Sequence, residues 1–193
     1  PDRPASRLNA AMVAALSAEH SIQVHDIYQA WTGSPAEVAL QQQLMQSSDR
    51  IIFQFPLTWY SCPPRLSQWL AAVWTRGWSY GPGGRALNFK TFGVAVTTGS
   101  NGRDYTAEGR YRRTLQEVLV PFELLARHCG MHYLSPFSIT AAREISDHAL
   151  GEQASAYRSH VLAAEPTIRF DGSDDDRATT VYTRSPPATE TTT

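Results

Sequence analysis

The sequence predicts an α/β fold: a doubly wound parallel sheet with helices on both faces. Three observations carry this. Short apolar runs of strand character alternate with amphipathic helical patterns, the order in which parallel sheets are built. One run, residues 91–97, has an uninterrupted apolar centre, as a strand covered on both faces requires. The chain has 193 residues, 42% of them hydrophobic, enough for one domain with a sizeable core.

The elements follow in order. Ser6 reads as a helix N-cap, with Leu8, Met12, Val13 and Leu16 behind it at helical spacing. Residues 23–28 alternate like a strand. Ser34-Pro35-Ala36-Glu37 starts a helix, with Ser as cap, Pro at the first helical position and Glu at the third. Residues 50–55 form an apolar strand, and the pattern from Pro64 to Thr75 is helical. A turn-rich loop, Gly77 to Gly84, leads to the strand at 91–97. After the polar loop 98–113, Leu115 to Ala126 reads as a helix that Pro121 should kink or break. Residues 131–139 read as a last strand, and Asp147 to Leu162 as a final helix. From residue 165 to 193, Ser, Thr, Asp and Pro dominate, the composition of a disordered tail. The folded domain is therefore expected at 1–164.

Four strands fit a five-stranded flavodoxin-like sheet of order 2-1-3-4-5 with one strand missing. No strand feeds the helix at Ser6. The pattern places that first strand upstream of Pro1 and its position empty in this chain.

Composition narrows the function. Seventeen basic and 18 acidic residues leave a net charge of −1, which offers no footprint for nucleic acid or an anionic membrane. No apolar run approaches the roughly 20 residues of a membrane span. Cys62 and Cys129 stand alone, a usage that suggests a reducing, cytoplasmic setting. The six histidines are scattered, and no metal is expected.

Three loops fall at the carboxyl ends of strands, where open α/β sheets bind ligands. The first, Ser6-Arg7-Leu8-Asn9, opens a helix whose free N–H groups suit a phosphate. The second, Pro56-Leu57-Thr58-Trp59-Tyr60, presents two aromatics able to stack on a flat ring. The third, Thr97-Thr98-Gly99-Ser100, is small enough for close backbone approach. Each alone is an ordinary turn or cap. Together they point to flavin mononucleotide (FMN), phosphate on the helix and ring between the other two loops. No adenine platform is evident, which favours FMN over FAD.

The segments Gln54-Phe-Pro-Leu-Thr-Trp-Tyr-Ser-Cys-Pro-Pro, Gln68-Trp-Leu, Gly77-Trp-Ser-Tyr-Gly-Pro-Gly-Gly-Arg-Ala-Leu and Val96-Thr-Thr-Gly resemble the flavodoxin-like NAD(P)H:quinone oxidoreductases. The nearest branch is that of the small bacterial FMN reductases. It includes the ancillary reductase of the glutathione-gated potassium efflux system and the modulator-of-drug-activity type. The resemblance runs from about Pro1 to Leu162, in order.

This resemblance implies two-electron, ping-pong transfer from NAD(P)H through flavin to a quinone or similar small acceptor. It places Ser6 to Asn9 on the phosphate, Leu57 to Tyr60 on the ring, and Thr97 to Ser100 on the second flavin loop. Tyr105 matches a family Tyr near the flavin N1/O2 edge. Tyr111 stands where relatives carry a His, so Tyr105 and Tyr111 are the candidate catalytic pair. Trp78 and Tyr80 are candidates for the substrate side. Many relatives have Gly where this chain has Ser100. A homodimer is implied, since a second subunit completes the family's pocket. The alternative reading is an ancillary regulatory subunit of a potassium/proton antiporter, peripheral at the inner membrane face, with secondary reductase activity.

Overall fold

The computed structural model describes residues 6–163; the tail expected at 165–193, and Pro1, lie outside them. The helices are α1 (Arg7–Ala15), α2 (Ile27–Ala30), α3 (Pro35–Gln46), α4 (Pro64–Val73), α5 (Leu115–Val118), α6 (Val120–His128) and α7 (Asp147–Leu162). The strands are β1 (Arg50–Pro56), β2 (Thr91–Thr97), β3 (His132–Tyr133) and β4 (Phe137–Ile139).

Local chemistry accounts for the boundaries. Ser34 and Glu37 form a reciprocal capping box at the start of α3, with Pro35 in its first turn. Thr114 and Glu117 do the same for α5. The helix expected from Leu115 breaks at Leu119, and Pro121 falls in the first turn of α6, where its missing N–H costs nothing.

β1 and β2 pair in parallel from Arg50↔Thr91 to Pro56↔Thr97. β3 and β4 both pair with β2, at opposite ends of it. They are one expected strand cut in two, because Pro136 between them has no N–H to give to a ladder.

The alternation of β1 divides the core. Ile51, Phe53 and Phe55 point to the face covered by α3, α4 and α6, where Trp69, Trp74, Phe92 and Phe122 pack. Ile52 points to the other face, against Leu8, Met12, Leu150 and Tyr157 of α1 and α7. Helices therefore cover both faces, as the doubly wound prediction required. Trp69 and Trp74 are 4% and 5% exposed, the core residues their helical spacing suggested.

The strand expected at 23–28 does not form. Residues 22–26 carry no bridge, and the Asp26 carboxylate accepts the Tyr28 N–H at 3.0 Å to cap α2. A strand needs a neighbour to take its ladder bonds. β1 pairs only with β2, and a cavity of about 880 Å³ separates its other edge from residues 20–28. Residues 23–28 do not pair directly with β1 either, so positions 2 and 1 of the five-strand order, both on the β1 side, hold no strand among the described residues.

Candidate functional site

The first candidate loop opens α1. Ser6 is its N-cap, with φ −91° and ψ 90°, yet makes no side-chain capping bond. Its hydroxyl instead accepts the Asn9 side-chain amide at 2.9 Å. The first-turn amides therefore keep their donors uncapped by that side chain, at the positive end of the helix dipole. Asn9 is 5% exposed. It also donates to Thr97 Oγ1 at 3.3 Å, and its Oδ1 accepts from Gln54 Nε2 at 3.1 Å. One buried amide thus ties α1, β1 and β2 together beneath the loop. The Arg7 guanidinium is engaged elsewhere: it bonds the Asp147 carboxylate at 2.6 Å and the Ile145 carbonyl at 2.9 Å. At this loop Arg7 contributes its backbone, and Leu8 is buried in the core.

The second loop is the most unusual stretch of backbone. Leu57 N–H bonds the Thr97 carbonyl at 2.8 Å, extending the β1–β2 pairing past Pro56. Thr58 and Ser61 then exchange backbone bonds at 2.9 and 3.0 Å across a two-residue turn. The residues at its tip, Trp59 and Tyr60, have φ of 49° and 61°. Two successive left-handed residues define the turn that normally takes Asn-Gly. Left-handed backbone costs a residue bearing a Cβ about 1–2 kcal/mol. Trp59 is nevertheless 90% exposed and Tyr60 50%. A strained turn that displays two large aromatics to solvent offers a flat stacking surface.

The third loop leaves β2 with Thr97 and Thr98 buried, at 5% and 3% exposure. Thr98 N–H bonds the Ile139 carbonyl at 3.0 Å, and its hydroxyl donates to the Ser100 carbonyl at 2.8 Å. Gly99 is exposed, and a Cβ there would meet nothing within 4 Å. The chain beyond folds back through a single turn of 3-10 helix to Tyr105, 8% exposed. Burial pushes the Tyr105 phenol above its usual range, so it is protonated and able to donate at neutral pH. Tyr111 lies beside it: ring centroids are 4.9 Å apart, and the Tyr111 hydroxyl is 2.7 Å from Ser100 Oγ. The Tyr60 ring meets Tyr111 edge-on at 5.3 Å.

The structure thus brings together the second and third loops, Tyr105 and Tyr111, with the α1 start joined through Asn9 and Thr97. It does not join Trp78 and Tyr80 to them by a ring contact. Both pack on the core around α4 and β2, and Tyr80 stacks on His128 at 4.7 Å. Gly84 in that segment is required sterically, since a Cβ would lie 2.1 Å from the Tyr80 carbonyl oxygen. Sequence reasoning missed Gln54, Ser61 and Asp147 as supports. Gln54 alone left a signal, a polar residue inside an apolar strand. No group of three or more His, Cys, Asp or Glu among the described residues could hold a metal.

The donor set fits an FMN. Uncapped amides at α1 suit its phosphate, open space at Gly99 admits a ring edge, and the Trp59–Tyr60 turn supplies a stacking face.

A family model described as flavodoxin-like fold matches residues 1–161. An uncharacterized NAD(P)H oxidoreductase of Bacillus subtilis, YdeQ, is 39% identical over 172 residues, covering 88% of this chain and 87% of its own. KefG, a glutathione-regulated potassium-efflux system ancillary protein of Enterobacter sp. (strain 638), is 37% identical over 147 residues, 76% of this chain and 80% of its own. The crystal structure of general stress protein 14 from Treponema denticola in complex with FMN superposes with TM-score 0.75 at 33% identity, covering 83% of this chain and 92% of that one.

Proposed function

The chain belongs to the flavodoxin-like fold family, and from that premise we propose that it is an NAD(P)H oxidoreductase that uses FMN to reduce a quinone or similar small acceptor. The observation that carries the reading is the strained, solvent-displayed Trp59–Tyr60 turn facing the Thr97–Ser100 loop. The relative named an NAD(P)H oxidoreductase and the FMN complex of general stress protein 14 support it. The quinone rests on the resemblance of the Trp-Tyr-Ser-x-Pro and Gly-Trp-x-Tyr-Gly-x-Gly-Gly segments to quinone oxidoreductases.

In this reading the first-turn amides of Arg7, Leu8 and Asn9 hold the phosphate, with the Ser6 hydroxyl at their edge. Pro56, Leu57, Thr58, Trp59 and Tyr60 wall the ring. Amides of Thr98, Gly99 and Ser100 line the other side. When bound, FMN supplies the centre that takes hydride from NAD(P)H and passes two electrons to the acceptor. The Tyr105 hydroxyl would donate a hydrogen bond to negative charge on a bound ring. Trp78 and Tyr80 line the acceptor side, completed by a second copy of the chain. The protein works in the cytoplasm, and no helix among the described residues is long and apolar enough to cross a membrane.

Steady-state kinetics test the reading. Double-reciprocal plots against NAD(P)H at several quinone concentrations should be parallel, the pattern of two substrates using one pocket in turn. Intersecting lines would exclude that scheme.

The similarity to KefG favours one second reading, an ancillary regulator of a potassium/proton antiporter. Then a variant without reductase activity should still activate potassium efflux when co-expressed with the antiporter.

A further inference from the structure

We propose that Tyr111 is a positioning residue, a latch that joins the turn after β1 to the loop after β2 and sets their spacing. The proposal rests on the flavin reading only for the identity of what binds at the two loops.

The latch has three attachments. The Tyr111 hydroxyl lies 2.7 Å from Ser100 Oγ, which fixes it to the loop after β2. Its ring takes the Tyr60 ring edge-on, at 5.3 Å and 72°. Its backbone N–H bonds the Asp104 carbonyl at 3.0 Å, and Tyr105 and the Arg110 guanidinium pack on its two sides at 4.9 and 5.6 Å. Residue 111 therefore contacts both loops whose carboxyl-end geometry defines the candidate site.

The latch also explains how the turn keeps its strain. Trp59 and Tyr60 both sit at positive φ with large exposure. Strained backbone persists only where surroundings over-determine it. Reciprocal Thr58–Ser61 bonds close the turn, and the Tyr60–Tyr111–Ser100 chain of contacts ties its tip to the loop after β2. Ser100 gains a purpose as well: a glycine there would leave Tyr111 no hydroxyl to hold. The Ser100 hydroxyl, 2.7 Å from the Tyr111 oxygen, draws that phenol below its usual range.

The test uses Tyr111→Phe, Ser100→Ala and the double variant. Phe keeps the ring contacts and removes only the hydroxyl. In flavin-free protein, hydrogen exchange at the Thr58 and Ser61 amides should quicken about five-fold in each single variant, the worth of one net hydrogen bond. The double variant should exchange no faster than the singles, because both remove the same tie. Alkaline titration followed at the tyrosinate absorbance gives a second signature: Ser100→Ala should move one phenol ionisation to higher pH, and no such shift should remain when Ser100→Ala is made in Tyr111→Phe. FMN affinity should fall by about the same five-fold factor in all three. Unchanged exchange in Tyr111→Phe, or additive effects in the double variant, would overturn the latch. The expected exchange pattern across the variants, together with wild-type protein that binds no FMN, would keep the latch and remove the flavin reading.

Discussion

Replacing Trp59 by Asn should make the protein more stable and a poorer flavin binder. Trp59 is 90% exposed, so its removal gives up little burial. Its φ of 49° is one that Asn tolerates and Trp does not. The strain of about 1–2 kcal/mol for a left-handed residue should be partly relieved. A gain near 1 kcal/mol raises Tm by about 2–4 °C in a domain of this size. The stacking face is lost at the same time, and one aromatic stack on a flat base is worth about 1–3 kcal/mol. FMN affinity should therefore drop about ten-fold, at the lower end of that stacking range. Calorimetry on flavin-free protein and a fluorescence titration with FMN measure the two quantities separately. A lower Tm would show that the turn stores no strain at Trp59. Unchanged affinity would show that the exposed indole has no part in binding.

Three further outcomes follow from the structure. Asn9→Ala should cost about 1–3 kcal/mol, because Gln54 and Thr97 lose a buried partner; denaturant unfolding reads it. Four donors on one carboxylate oxygen, the Thr32 hydroxyl foremost, hold Glu37 down to about 2. Its contribution is present above the unfolded value of 4.5 and is lost as pH falls toward about 2, so Glu37→Gln should flatten the stability profile in that window. In β1, the bonds Thr91 N–H to Asp49 and Leu57 N–H to Thr97 turn the odd-numbered residues toward β2 and the even ones toward the cavity. Amides of Ile51, Phe53 and Phe55 should then exchange more slowly by NMR than those of Ile52 and Gln54.

Much of this architecture was legible because it rests on local signals. The Ser34–Glu37 capping box, the apolar centre of β2 and the helical spacing of Trp69 and Trp74 each state their own structure. The strand read at 23–28 was not legible, because alternation shows which faces are apolar and not whether a neighbour supplies a ladder. Asp26 resolved it by capping α2. Pro136, visible in the sequence, divides the last strand. The candidate site reads in the sequence as three loops at strand ends; among the described residues two of them leave a strand, and hydrogen bonds link all three. Of its supports, only Gln54 left a signal, as a polar residue inside an apolar strand. The Arg7–Asp147 pair spans 140 residues, and nothing in a linear pattern announces a contact at that separation. Positive φ at Trp59 and Tyr60 was equally hidden, since the residues are ones that avoid it.

Adding FMN to the purified protein and then NAD(P)H, without oxygen, tests the central claim most directly. Stoichiometric FMN should bind with quenched flavin fluorescence, its absorbance should bleach on adding NAD(P)H, and the colour should return when quinone is added. Protein that binds no flavin, or holds flavin that NAD(P)H leaves oxidised, would contradict it.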